Sequence, residues 1–98
     1  MGSKTHVSLL MDGVTTNVTG ATFHIPSSND REECLVQIDI SSTITVVVNG
    51  RVNSSAAWVE VIPAKTASEI VPIAWVPELQ AVTSGVSGGT ASVRVAVP

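Results

Sequence analysis

From Cys34 onward, apolar and polar residues alternate with a period of two. Cys34, Val36, Ile38 and Ile40 fall on one face of an extended chain, with Gln37 and Asp39 on the other. This is the pattern of a half-buried strand. Ser41-Ser42 predicts a turn, and Thr43 to Val48 a further strand with Ile44, Val46 and Val48 on one side and Thr45 and Val47 on the other. Asn49-Gly50 has the residues of a type I′ hairpin turn, which needs positive φ at both central positions. Its partner strand would begin at Arg51-Val52; otherwise the turn is a local feature before the Asn53-Ser54-Ser55 loop.

Ala57 to Ile62 reads as the next strand, with Trp58 and Glu60 facing one way and Val59 and Val61 the other. Pro63 ends it or places it at a sheet edge. Residues 64–68 form a connection with at most one helical turn, and Ile70 to Ala74 a short strand that Pro72 assigns to an edge. Glu78 to Thr83 is a strand, residues 84–89 a Gly/Ser hairpin loop, and Thr90 to Val97 a last strand with Val93, Val95 and Val97 inward and Arg94 outward. Residues 1–30 are patterned more weakly. Val7 to Met11 is a short apolar run, Asp12-Gly13 a turn signal, and residues 26–30 a loop cluster. This segment predicts an N-terminal arm or short strands, and residues 31–98 a β-sandwich domain. The fold class expected is all-β: one sandwich, jelly-roll or Ig-like, of about seven to nine short antiparallel strands.

Composition supports that class. Among 98 residues are 17 Val, 7 Ile and 10 Thr, side chains that lose rotamer freedom in helices and pack well on pleated surfaces. One domain fits; an α/β-hydrolase, a dinucleotide-binding enzyme or a TIM barrel does not. The formal net charge is −3, and the five basic residues stand singly. Nucleic acid and anionic membranes therefore make poor partners. No apolar run approaches the 18 or so residues of a membrane-spanning helix. Cys34, the single cysteine, has no intrachain disulfide partner and reads as a small buried hydrophobe.

Candidate chemistry is sparse. Gly85-Val86-Ser87-Gly88-Gly89 matches the G-x-S-x-G string of a nucleophile elbow, but that device needs a strand-to-helix turn, and a strand pattern follows here. His6 and His24 both lie in the N-terminal segment, where a Ser-His-Asp grouping has no spacing to support it. Glu32 and Glu33 are adjacent, so a strand would point them to opposite faces. No ligand spacing for a metal occurs. The expectation is a protein without catalytic residues, cofactor, metal or small-molecule substrate.

Association is the stronger signal. Ile44 to Val48 is uncharged, rich in β-branched residues and free of proline, so it is safe only inside a sheet. Val71 to Val76 is an uncharged apolar run that includes Trp75 and would be adhesive at an edge. Val7, Leu9, Phe23, Ile70, Ile73 and Trp75 are the candidate contacts to other subunits. Trp58 and Trp75 could fill the core, anchor an interface or stack on a sugar ring.

Residues 42–97 resemble a known family. A Thr/Val-rich strand (Thr43 to Val48) and Asn49-Gly50 precede Trp58-Val59-Glu60-Val61 and Thr66-Ala67-Ser68. An apolar segment ending at Pro77 then leads to Leu79-Gln80-Ala81-Val82-Thr83-Ser84-Gly85 and Ala91-Ser92-Val93-Arg94-Val95. This order is similar to small β-sandwich virion proteins of tailed bacteriophages. There, V-x-G-S-x-D-G-x-x-W is followed by P-x-L/V-R-A-x-V-T-x-x-x-S-G-x-V-x-V. The chain departs from that pattern before the tryptophan, where residues 53–57 replace Asp-Gly, and at Gln80, where the family has arginine. The resemblance implies a non-enzymatic capsid cement or decoration protein on the virion surface. It would bind the major capsid protein between capsomers as a homo-oligomer, typically a trimer. A head-fibre or tail component is the alternative within phages, and a glycan-binding module for host attachment, using Trp58 or Trp75, is the alternative outside that role.

Overall fold

Two strands carry the fold of this chain in its computed structural model, which describes residues 6–25 and 33–97. They are β3 (Glu33–Arg51), 19 residues long, and β6 (Glu78–Val97), 20 residues long. They pair antiparallel along nearly their whole length, from Leu35 opposite Ala96 to Arg51 opposite Glu78. Shorter strands flank this ribbon: β1 (His6–Val14), β2 (Phe23–His24), β4 (Val59–Lys65) and β5 (Glu69–Ala74). The first half of β3 pairs with β5 and its second half with β4, while the first half of β6 pairs with β2 and its second half with β1.

Two four-stranded layers result, β1-β6-β3-β5 and β2-β6-β3-β4, each long strand serving both. Both turn the same side of the ribbon inward. Cys34, Val36, Ile38, Ile44, Val46 and Val48 of β3 are buried, as are Leu79, Ala81, Ala91, Val93 and Val95 of β6, and Met11, Ile25, Ile62, Ile73 and Val97 complete one core. The shortest molecular dimension, 18 Å, suits two sheets about 10 Å apart. The chain is therefore an all-β, sandwich-like fold. The inward faces expected for residues 34–40, 44–48 and 93–97 are those observed.

The ribbon folds over itself at one corner. Pairing shifts between Thr43 and Ser87/Gly88 and again before Thr45–Ser84. Here Ser42, Gly85 and Gly88 take positive φ (63, 58 and 76). Extra residues in both strands bend and twist them together, as β-bulges do. Three sequence expectations are corrected. Ser41-Ser42 is a bend within β3 and not a turn between strands. Residues 84–89 are the matching bend within β6 and not a hairpin loop. Asn49-Gly50 is no hairpin turn either: both residues lie in β3, opposite Gln80 and Leu79. A Cβ on Gly50 would lie 3.0 Å from Val76 and 3.1 Å from Val61, so the glycine makes room for core side chains. Pro63 sits inside β4, which continues to Lys65 as an edge strand. Val59 is exposed and Ile62 faces the core, because register shifts in the β3–β4 pairing displace the expected alternation.

One buried hydroxyl ties the crossing from β1 to β2 onto the ribbon. Thr83 Oγ1 donates to Thr16 O (2.7 Å) and accepts from Val18 N (2.9 Å), and Thr83 N donates to Val18 O (2.9 Å). Thr83→Val keeps the shape but leaves those backbone groups without their side-chain partner. It should cost about 2 kcal/mol in urea unfolding and speed amide exchange at Val18 specifically.

Candidate functional site

The outer face of the β1-β6-β3-β5 layer is apolar where water should favour polar residues. Cross-strand register places Val7, Ala96, Leu35 and Pro72 in one row, and Leu9, Arg94, Gln37 and Ile70 in the next. All eight belong to the outward set of their strands. Val7 is 62% exposed, Ile70 59%, Leu9 48% and Leu35 43%. Four strands at the usual spacing span about 14 Å between the outer pair. A shallow depression of about 140 Å³ is lined by Val7, Leu35, Gln37, Ile70, Arg94 and Ala96. Polar side chains enter it from the central strands: Arg94 Nη1 donates to Asp39 Oδ2 at 3.1 Å, and Gln37 Nε2 donates to Asp39 Oδ1 at 3.2 Å. A contiguous apolar row with polar side chains next to it is a composition found at protein–protein contacts.

The structure brings Val7, Leu9 and Ile70 of the sequence candidates together on this face. Phe23 and Trp75 are half-buried and pack against the core, and Ile73 is a core residue. Leu35, central to the patch, carries no cue of its own in the sequence that it shares a surface with Val7, Leu9 and Ile70. Its alternation with Cys34 and Val36 marks it as outward, but only the register places it beside Val7 and Ile70.

The other layer carries a polar cluster on its outer surface. His24, Glu78 and Arg51 are cross-strand neighbours on β2, β6 and β3. Arg51 Nε donates to Glu78 Oε1 at 2.7 Å, His24 Nδ1 lies 3.6 Å from Glu78 Oε2, and the Arg51 guanidinium stands 4.0 Å from the centre of the Trp58 ring. The Glu78 side chain is only 9% exposed and that of Arg51 17%. The sequence offers no cue to this pairing, since 27 residues separate the partners. Beside it, an apolar cleft of about 290 Å³ runs between Gly50, Val52, Ala56, Val59, Val61 and Val76.

The Gly85–Gly89 string is part of the ribbon's corner, with strand on both sides, and so lacks the strand-to-helix geometry of a nucleophile elbow. Among the described residues no three His, Cys, Asp or Glu side chains gather as metal ligands. Cys34 is fully buried. Glu32, Arg31 and the loop at residues 26–30 lie outside the described residues, as does the side chain of His6. No protein-family model matches the sequence, and no curated protein matches it.

Proposed function

We propose that this chain is a non-enzymatic structural subunit, a capsid cement or decoration protein of a tailed bacteriophage. In this reading it binds the outer surface of the shell, against the major capsid protein. The observation that carries the reading is the apolar outer face centred on Leu35 and Ile70. A sheet that already has a complete core on one side carries aliphatic residues on the other only at a cost in solubility, unless a partner covers them. Many such modest contacts acting together would brace a shell. The sequence resemblance supplies the phage and the capsid. A glycan-binding role has less support, because Arg51 occupies one face of Trp58 and Trp75 packs against the core.

Two measurements test the reading. Virions of the encoding phage should contain the chain in a copy number comparable with that of the capsomers; its absence from the particle overturns the proposal. Leu35→Glu and Ile70→Glu should each leave thermal stability within about 1 kcal/mol of the parent, since both sites are exposed. Each should also abolish co-sedimentation with shells stripped of the protein. Undiminished binding by both variants removes the outer face from the mechanism.

A further inference from the structure

Among the described residues, the layer that carries the apolar face has one undefended edge, and we propose that it pairs with the same edge of a second copy. This rests on the reading of the chain as an assembly subunit. Sheet edges invite pairing unless something blunts them, and three of the four edges here are blunted. On β4 stand Pro63 and Lys65, and on β5 stand Pro72 and Glu69. β2 is two residues long. β1 differs. From His6 to Leu9 it pairs with Val97, Ala96, Val95 and Arg94 without a shift, and its irregularities begin only after Leu9. This stretch has no proline, lysine or acidic residue, and its other side has no strand beside it among the described residues.

The side chains restrict the registers to those that keep Val7 and Leu9 on the outer face, and the Ser8-centred one pairs them with each other. Strands related by a two-fold axis run antiparallel. If Ser8 faces its own copy, Val7 lies opposite the other copy's Leu9, and Leu9 opposite its Val7. Both pairs then stand on the outer face. A shift by one residue would set these apolar side chains against the polar series and flip the faces. In the Ser8-centred register both outer rows run unbroken across the axis, from Pro72 and Ile70 of one copy to Ile70 and Pro72 of the other. The shell-facing patch doubles in width without any new residue. Four or five residues a side is a small interface, so association should be concentration-dependent. A two-fold contact closes on itself as a dimer, in place of the trimer that the resemblance implies.

Charge tests the register. The parent protein should pass from monomer to dimer between micromolar and millimolar concentration in light scattering. Val7→Lys alone and Leu9→Glu alone should each remain monomeric at the top of that range. Combining Val7→Lys with Leu9→Glu should restore the dimer, because opposite charges then face each other across the axis, and high salt should weaken it again. Ser8→Cys should cross-link as a dimer under mild oxidation, with buried Cys34 giving little background. A parent that stays monomeric throughout, a trimer, or a double variant no better than the singles overturns the proposal. Leu35→Glu separates the two readings: it should lose shell binding and keep the dimer.

Discussion

Gly89→Ala should come close to preventing folding. A Cβ at this position would lie 2.3 Å from Thr43 O and 2.4 Å from its carbonyl carbon, with Ile44 Cβ at 2.8 Å. The obstacle is the backbone of the neighbouring strand, which cannot rotate aside. Moving it would open the ribbon at the corner where both sheets originate. The expected loss exceeds about 3 kcal/mol, a large share of the 5–15 kcal/mol or so that holds a typical domain. Urea unfolding of Gly89→Ala measures it, with Gly13→Ala as the comparison. Gly13 also matters for conformation, at φ 64, but a Cβ there meets nothing within 4 Å. Its alanine variant should lose only about 1–2 kcal/mol, the usual penalty of a left-handed residue. Gly89 itself has no left-handed φ, so a loss no larger than that of Gly13→Ala would show that β3 yields to the added methyl group and that the close approach at the corner is not decisive.

Arg51→Met should be the next most damaging change, at about 3 kcal/mol. It removes the strongest partner, among the described residues, of a carboxylate that is nearly enclosed, and breaking a buried pair costs more than the pair contributes. His24, at 3.6 Å from Glu78, is too far and too exposed to take over the bond. Trp58 loses its guanidinium contact as well, which adds up to about 1 kcal/mol. The double variant Arg51→Met with Glu78→Leu should recover most of the loss, because no orphaned charge remains. A double-mutant cycle in urea reads this directly. Additive losses would mean that Glu78 is adequately hydrated without Arg51. The exposed pairs Lys65–Glu69 and Arg94–Asp39 should each change stability by less than about 1 kcal/mol when broken.

Much of the fold was legible from the period-two pattern, because one-sided burial writes itself directly into alternation. Residues 34–40, 44–48 and 93–97 face as expected for that reason. The turn signals mislead for an equally physical reason. Ser, Asn and Gly mark positive φ or close approach, and a hairpin, a bulged corner and a tight core contact all use the same residues. Gly50 was needed for space beside Val76, and Gly88 for the bend. Local sequence alone does not separate those uses.

The candidate face divides in the same way. Val7, Leu9 and Ile70 are recognisable as apolar residues in places that could be exposed. Their meeting around Leu35 depends on β1 and β5 lying on opposite sides of the β3–β6 ribbon, a matter of long-range pairing. The Arg51–Glu78 contact depends on it equally. By itself, then, the sequence determined that the chain makes strands and which side of each central strand is buried. Only the tertiary structure decided that two short hairpins are one folded ribbon, and which outward aliphatics share a surface. Alternation is a property of neighbours along the chain, whereas register and corner geometry are set by strands dozens of residues apart.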